Sequence, residues 1–242
     1  ALFGRDGILE PSLLGAAPRR RLDYDEAHSA LQILVQDYIY KCAFENGKDL
    51  EEVHGQWYKL LFSGSNEWDM GVMTLAQHYG IPTHGLDVTT SLEVAVWFAT
   101  HRFQIDAEGY GTYKKMDIHE WSSNPESWPV IYLVLPVTNS LKPSILKTEE
   151  LEKFGFAAIR PLKQYAKFFM GAHGIHKNRL AEALACIVRL CPDALETNLG
   201  YKELFPPAED DHAYKFMLNI KNKYKDGPLG KYFGEIVEYK YD

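Results

Sequence analysis

Polar and titratable side chains are concentrated in one short stretch of the sequence, between two apolar segments. The stretch carries these residues with hydroxyl, amide, imidazole or carboxyl groups: Gln77, His78, Thr83, His84, Asp87, Thr89 and Thr90. Buried polar groups must be hydrogen-bonded. These side chains therefore either satisfy one another and the backbone, or some of them face a ligand.

His84 and Asp87 are three residues apart, a spacing at which the carboxylate could orient the imidazole for acid–base or nucleophilic chemistry. The alternative for Asp87 is a turn in which its side chain accepts hydrogen bonds from the amides of Thr89 and Thr90. His78 could equally be a helix-end histidine bonded to the loop backbone. For His84 we favour a functional role, because no structural role explains it.

The polar stretch is expected to lie between two helices. Apolar spacing predicts the first helix from Met70 to Tyr79, with Asp69 as its N-cap and Gly80 at its end. A loop from Ile81 to Thr89 follows. Thr90 and Glu93 then match a capping box. They predict a helix from Ser91 to about Arg102, which is apolar on nearly every side and therefore buried.

The remaining segments indicate a single α+β (mixed α/β) domain over residues 1–242. Further helices are predicted at Tyr24 to Phe44, Lys177 to Leu190 and His212 to Tyr224. Strands are predicted at Leu2 to Arg5, Pro129 to Val137, Gly155 to Pro161 and Glu235 to Tyr241. The strand at 129–137 is apolar on both faces and is expected to be central. The polar residues 109–129 are expected to form a surface excursion.

The stretch from Leu75 to Ala99 resembles the FRG domain family, which is named for a Phe-Arg-Gly motif. The matching residues are Gln77, His78, Gly80, Pro82, Thr83, Leu86, Asp87, Thr89, Phe98 and Ala99. His84, Gly85 and Val88 depart from the family's Arg, Leu and Trp. Residues Phe3 to Gly7 look like an altered naming motif with Arg5 as its arginine. The resemblance covers about residues 3–174, and residues 175–242 would add C-terminal helices and a terminal strand.

The layout of these motifs is also similar to that of ADP-ribosyltransferases, and this analogy implies NAD as a substrate. Arg5 would clamp phosphate, and His84 and Asp87 would position or polarise the substrate. The residues implied to line the substrate site are Gln77, His78, Thr83, Thr89 and Thr90. A further carboxylate would stabilise the developing oxocarbenium charge. Glu182, Glu235 and Glu238 are candidates for it.

Two functions follow from these expectations. The first is an enzyme that transfers ADP-ribose from NAD or cleaves NAD. The alternative is a non-catalytic module that binds a nucleotide or a protein partner through the same pocket. A second carboxylate beside Asp87 would favour catalysis, and its absence would favour binding. A role as a toxin or in defence would suit a small domain of this family.

Composition narrows the partners and the setting of the protein. The 242 residues carry a formal net charge of −7, which disfavours nucleic acid and anionic membranes. Three cysteines at positions 42, 186 and 191 favour a reducing, cytoplasmic setting, and Cys186 is expected in the core. No apolar run reaches the roughly 20 residues that span a bilayer. No His or Cys spacing matches a zinc site, so no metal is expected.

Overall fold

The computed structural model describes residues 2–5, 8–11, 25–49, 51–55, 67–117, 124–135, 157–170, 181, 183–191 and 197–241. They form a mixture of helices and short antiparallel strands, as the α+β prediction expects. The strands are β1 (Leu2–Arg5), β2 (Ile8–Pro11), β3 (Gly85–Thr89), β4 (His101–Ile105), β5 (Gly111–Lys115), β6 (Val130–Val134), β7 (Ala166–Met170) and β8 (Leu184–Arg189). The helices are α1 (Asp25–Glu45), α2 (Glu67–His78), α3 (Leu92–Thr100), α4 (Ile159–Lys163), α5 (Tyr201–Leu204), α6 (His212–Tyr224) and α7 (Gly230–Phe233).

Within the described residues the strands pair two by two, and every pair is antiparallel. The pairs are β1 with β2, β3 with β7, β4 with β5 and β6 with β8. The β3–β7 pair matters most for function, because it places Asp87 opposite Phe168. Gly85 has no side chain in this pair, and a Cβ there would overlap the ring of Phe168.

The main hydrophobic core lies between α1, α2, α6 and α7. Helix α1 contributes one buried residue every four positions: Ala27, Leu31, Val35, Ile39 and Ala43. This spacing keeps one face of a helix towards its neighbours, and it confirms the predicted helix at 24–44. The predicted helix at 212–224 is also confirmed, with the same bounds as α6.

A smaller core lies beneath α3. It contains Val94 and Trp97 of that helix together with Leu204 and Phe205. The helix was predicted to be buried nearly all round, and its buried residues Val94, Val96 and Trp97 do point to different sides. Leu92, in the first turn, is an exception at 65% exposed.

Several boundaries near the polar stretch differ from the prediction. Helix α2 begins at Glu67, so Asp69 lies inside its first turn rather than at its cap. The predicted loop at 81–89 contains strand β3, because residues 85–89 pair with β7. The cap of α3 is Ser91, whose hydroxyl accepts a hydrogen bond from Val94 N. The helix ends at Thr100, so the predicted extension to Arg102 is wrong.

The predicted helix at 177–190 is wrong for residues 184–189, which form β8 and pair with β6, whereas residue 181 is helical. The segment is rich in β-branched and apolar residues, and pairing with a neighbouring strand decides its conformation. Cys186 is accordingly exposed rather than in the core. Strand β6 was predicted to be central, yet Tyr132 and Leu133 are 40% and 48% exposed.

Two further strand predictions are wrong. Residues 159–163 form α4, which tolerates Pro161 because a proline in the first helical turn removes no intrahelical hydrogen bond. Residues 235–241 form no strand beyond a single parallel bridge between Tyr239 and Gly111. Their backbone is held instead by Tyr214, whose hydroxyl donates to Val237 O and accepts from Tyr239 N.

The predicted surface excursion at 109–129 contains strand β5 at residues 111–115. Residues 124–126 are exposed, as predicted. None of the helices in the described part of the chain is long and apolar enough to cross a membrane.

Candidate functional site

A cavity of about 420 Å³ opens where α2, β3, α3 and β5 meet the C-terminal residues. This volume lies in the range of roughly 300–1,000 Å³ typical of small-molecule sites. One end is polar and the other is aromatic. The polar residues that line it are Gln77, His78, Asp87, Thr89 and Gln164.

A chain of hydrogen bonds fixes the polar end. The hydroxyl of the fully buried Thr83 donates to Gln77 Oε1 at 2.6 Å and accepts from Gly85 N at 3.2 Å. Gln77 in turn forms a side-chain hydrogen bond with Asp87. Because the Gln77 oxygen is taken by Thr83, its amide NH₂ group is the donor to Asp87.

Protein surrounds the Asp87 carboxyl on most sides, although 35% of its side chain remains open to the cavity. Burial raises the pKa of Asp87 from 3.8 to about 8, and the hydrogen bond from Gln77 opposes this rise. Burial acts in this direction because it penalises the charged form. At pH 7 the carboxyl is therefore mainly protonated, so it can both donate and accept a hydrogen bond.

His78 is the last residue of α2, and its side chain is only 1% exposed. Its Nδ1 lies 3.6 Å from Asp87 Oδ2, which is beyond hydrogen-bonding distance. Burial, reinforced by the positive charge of Arg160, lowers the pKa of His78 from 6.5 to about 3. Both partners are thus neutral at pH 7, and the contact is not an ion pair.

Arg160 lies directly behind the polar end and is 1% exposed. Its Nη1 donates to the backbone oxygen of His78 at 3.1 Å. Its guanidinium carbon lies over four aromatic rings, at 4.5–5.4 Å from their centres: Tyr79, Phe205, Tyr214 and Tyr239. Cation–π contacts of this kind stabilise a buried guanidinium that, among the described residues, has no carboxylate in hydrogen-bonding contact.

The fully buried Asp211 anchors the elements behind the cavity. It caps α6 by accepting a hydrogen bond from Tyr214 N, and it also accepts from the backbone N of Arg160. The hydroxyl of Tyr79 lies 2.7 and 2.8 Å from its two oxygens. One carboxylate therefore joins the end of α2, the start of α4 and the start of α6.

Aromatic side chains form the other end of the cavity: Phe98, Phe103, Tyr113, Phe205 and Tyr239. Tyr113 and Phe205 are stacked with ring centres 4.9 Å apart, and Phe103 tilts against Tyr113 at 5.2 Å. Rings in such arrangements present flat apolar faces to a bound molecule.

The C-terminal residues close one side of the cavity. Val237 and Tyr239 line it, and the backbone between them is attached to β5 by a 2.7 Å hydrogen bond from Gly111 N to Glu238 O. Gly80 lies beneath this segment with a φ of +95°, and a Cβ on it would come within 3.0 Å of Glu235 O. The turn after α2 and the C-terminal segment are thus packed backbone to backbone.

Only some of the residues predicted for the site line the cavity. Gln77, His78, Asp87 and Thr89 line the cavity, and the hydroxyl of Thr89 donates to Gln164 O at 2.8 Å. Thr83 lies behind Gln77. His84 is half-buried and does not line the cavity, and Thr90 is exposed, with its hydroxyl 3.4 Å from Tyr165 O. Arg5 belongs to β1, but its side chain is outside the described residues.

Sequence reasoning missed Arg160 and four residues of the aromatic wall, namely Phe103, Tyr113, Phe205 and Tyr239. Arg160 lies in a predicted strand, where nothing indicated burial. The four aromatic residues come from separate parts of the chain, so no local spacing joins them. The 15 tyrosines of the sequence indicate that many aromatic rings are present, but not which of them line a cavity.

Asp87 is the only carboxylate among the described residues that line the cavity. Glu238 forms an ion pair with Lys221 at 3.0 Å instead. Glu235 does not line the cavity, and Glu182 lies outside the described residues. Across the described ranges, no three His, Cys, Asp or Glu side chains are grouped so as to hold a metal ion.

Residues 44–107 match the family model of the FRG domain. The match confirms the resemblance of the polar stretch, which lies wholly within it. It includes α2, β3 and α3, and therefore Gln77, His78, Asp87 and Thr89 of the polar end, but not Gln164. Residues 3–7 lie outside it. Comparison with curated proteins and with solved structures finds no match.

Proposed function

We propose that this FRG-domain protein binds a nucleotide in the cavity, through the nucleotide's heteroaromatic ring, and that NAD is the first candidate. The observation that carries the proposal is a single carboxyl, Asp87, at the polar end of a cavity whose other end is aromatic. A planar ring with polar edges fits such a cavity, because its apolar faces can contact the aromatic end while its edge forms hydrogen bonds at the polar end.

The aromatic end supports a flat ligand. Stacking of a nucleic acid base on an aromatic side chain contributes about 1–3 kcal/mol per base. Phe98, Tyr113 and Phe205 offer such faces close to the carboxyl of Asp87. Phosphates of a nucleotide would extend out of the cavity, where Arg5 is the proposed clamp.

Binding without catalysis is better supported than NAD cleavage. Asp87 has no second carboxylate beside it in the described lining. Its pKa of about 8 keeps it mainly neutral at pH 7, and a neutral acid stabilises a developing oxocarbenium charge poorly. The structure of the described residues therefore favours a recognition site.

NAD cleavage or ADP-ribosyl transfer is the second candidate, and one observation favours it. The nicotinamide ring of NAD is cationic, and a cation beside Asp87 would lower its pKa and favour the carboxylate form. The carboxylate would then face the positive charge that develops as the bond between nicotinamide and ribose breaks. His84, Thr83, Thr89 and Thr90 remain proposed supporting residues of that reaction.

The proposed partner is a small nucleotide rather than a nucleic acid, because the net charge of −7 opposes a polyanion. A protein partner at the mouth of the cavity is a further alternative. We propose a cytoplasmic setting on the basis of cysteine usage alone.

The test is calorimetric titration of the protein with NAD, ADP-ribose, AMP and nicotinamide, followed by a nicotinamide-release assay. We expect saturable binding that Asp87→Leu abolishes. Glu209→Leu is the matched control, because Glu209 is an exposed acid that does not line the cavity. If none of the four compounds binds at millimolar concentration, the proposal is wrong. Turnover that Asp87→Leu abolishes in a folded protein would favour the second candidate.

A further inference from the structure

Gln164 brings a hydrogen-bond acceptor to the polar end of the cavity. The residue lines the cavity and is 8% exposed. Its Nε2 donates to Leu204 O at 3.0 Å, so the orientation of the amide is fixed and the group left over is the oxygen, which can only accept. No described residue donates to this oxygen, and it is not one of the unpaired atoms that are sealed from the surface, as the ring nitrogens of His78 are.

Asp87 adds a second acceptor beside Gln164. Asp87 and Thr89 are two residues apart in β3, so their side chains point to the same face of the strand, roughly 7 Å apart. The hydroxyl of Thr89 donates to Gln164 O at 2.8 Å and thereby holds Gln164 beside that face. A carboxyl group keeps an oxygen that accepts in either protonation state. The ligand therefore meets two acceptors at this end of the cavity.

A primary amino group on a planar ring matches two such acceptors. Its two hydrogens point in different directions within the plane of the ring, so one can reach Gln164 and the other Asp87. Because buried polar groups are nearly always paired, a ligand that fills the cavity has to supply donors of this kind. The faces of the same ring would contact Phe98, Tyr113 and Phe205 at the aromatic end.

Charge favours a neutral ring over a cationic one. Arg160 does not line the cavity, but its guanidinium lies 5.4 and 4.9 Å from the ring centres of Phe205 and Tyr239, which do. These two rings already bind a cation from behind, and its charge repels a second cation on their cavity side. Asp87 is the only acid in the described lining, so even an ionised Asp87 would do no more than balance Arg160.

We propose that the cavity takes the uncharged, amino-bearing base of a nucleotide, which in NAD is the adenine, and leaves the cationic nicotinamide outside. The adenine amino group donates to Gln164 Oε1 and to Asp87, and the purine ring lies against the aromatic wall. This inference rests on the proposed function, because it names the part of the nucleotide that enters the cavity.

The experiment compares three nucleosides by calorimetric titration: adenosine, purine riboside and nicotinamide riboside. Purine riboside is adenosine without its amino group, and nicotinamide riboside carries the cationic ring. We expect adenosine to bind most tightly. Purine riboside should bind about tenfold more weakly, because it leaves the acceptors of Gln164 and Asp87 without a donor. Equal affinities of adenosine and purine riboside, or tighter binding of nicotinamide riboside, would overturn the inference.

Two substitutions of Gln164 separate recognition of the ligand from a structural role. Gln164→Met and Gln164→Glu both remove the amide nitrogen that donates to Leu204 O, but glutamate keeps an oxygen acceptor. The advantage of adenosine over purine riboside should shrink in Gln164→Met and persist in Gln164→Glu. The same change in both variants would mean that Gln164 acts only through the structure, against the inference. If neither variant folds, the ranking of the three nucleosides on the wild type decides.

The outcomes also separate this inference from the proposed function. If NAD and nicotinamide riboside bind but adenosine does not, the nucleotide site stands and the adenine inference is wrong. If adenosine shows the expected preference but neither NAD nor AMP binds, the base-recognition site stands and the nucleotide proposal is wrong. If none of these compounds binds at millimolar concentration, both are wrong.

Discussion

His78 Nδ1 and Asp87 Oδ2 face each other across 3.6 Å at the polar end of the cavity. His78 ends α2 and Asp87 is the central residue of β3, so the turn between these elements brings them together. Their pKa values shift in opposite directions, to about 3 for the imidazole and about 8 for the carboxyl. The imidazole and the carboxyl are consequently both neutral over most of the pH range from about 3 to about 8. Neither group therefore compensates a charge on the other.

Asp87 should make the protein less stable as pH rises from about 4 to 8. Its folded pKa of about 8 lies above the unfolded value of 3.8, so the folded state binds the proton more tightly and loses this advantage as pH rises from about 4 to 8. His78 acts oppositely, with its cost confined to pH below 6.5. Of these two groups, only Asp87 contributes between pH 6.5 and 8, and its contribution should lower the Tm as pH rises through this interval.

Thermal unfolding of Asp87→Asn against wild type from pH 6.5 to 8.5 checks this prediction. The variant should lack the part of the fall that Asp87 causes, because asparagine does not titrate. Parallel curves for the two proteins would show that Asp87 has an ordinary pKa in the folded state.

Thr83→Val should both destabilise the protein and shift the titration of Asp87. The change removes the donor to Gln77 Oε1 and the acceptor for Gly85 N, and leaving buried groups unpaired costs about 1–3 kcal/mol. With Gln77 less firmly held, its hydrogen bond to Asp87 weakens and the pKa of Asp87 rises further. Denaturant unfolding and carboxyl NMR titration measure the two effects.

Thr90→Val is the matched control for that change. Thr90 is exposed and its hydroxyl makes only a long hydrogen bond, so its loss should change stability by less than about 0.5 kcal/mol. Equal effects of the two substitutions would contradict the role assigned to Thr83.

Gly80→Ala should displace the C-terminal segment that closes one side of the cavity. Both Gly80 and Gly47 have positive φ, at +95° and +66°, but only Gly80 faces neighbouring backbone, whereas a Cβ on Gly47 would meet nothing within 4 Å. Gly47→Ala should therefore cost only the conformational penalty of about 1–2 kcal/mol. Gly80→Ala should cost more and should also weaken the proposed binding of NAD, because it displaces residues 235–237. Unfolding and titration of both variants measure this, and equal losses would contradict the packing described.

Tyr79→Phe should cost more stability than Tyr214→Phe. The Tyr79 hydroxyl donates to the buried carboxyl of Asp211, whereas the Tyr214 hydroxyl donates to a backbone carbonyl, Val237 O. Hydrogen bonds to charged groups contribute about 1.5–3 kcal/mol, against about 0.5–1.5 kcal/mol for neutral ones. Urea unfolding of the two variants gives the comparison, and the reverse order would contradict the larger contribution assigned to the hydrogen bond with Asp211.

Local signals in the sequence were sufficient for long, regular elements. The apolar residues of α1 recur with helical spacing, and α6 was predicted with its true bounds, because one face of each helix is buried throughout its length. Gly80 ended α2 as predicted, since the chain needs a positive φ there.

Elements that depend on distant partners were not predictable in the same way. Strand β8 was predicted to be helical because its apolar pattern is ambiguous, and its conformation depends on pairing with β6. The C-terminal residues have strand-like composition, yet side-chain bonds to Tyr214 replace a strand partner.

The same distinction holds for the site. The sequence grouped Gln77, His78 and Asp87 because they are close along the chain, but it paired Asp87 with His84 as a candidate acid–base pair. The structure brings His78 to Asp87. The buried Arg160 gave no local signal, because its environment is built from rings contributed by several distant segments.

Only part of the cavity comes from the segment that matches the family model. Gln77, His78, Asp87 and Thr89 of the polar end lie inside the FRG match at residues 44–107, together with Phe98 and Phe103. Gln164 and three rings of the aromatic wall, Tyr113, Phe205 and Tyr239, lie outside it. Proteins that share the matched segment can therefore keep most of the hydrogen-bonding end and still differ in those three rings. Ligand choice among such proteins would then diverge through segments that the family signature does not contain.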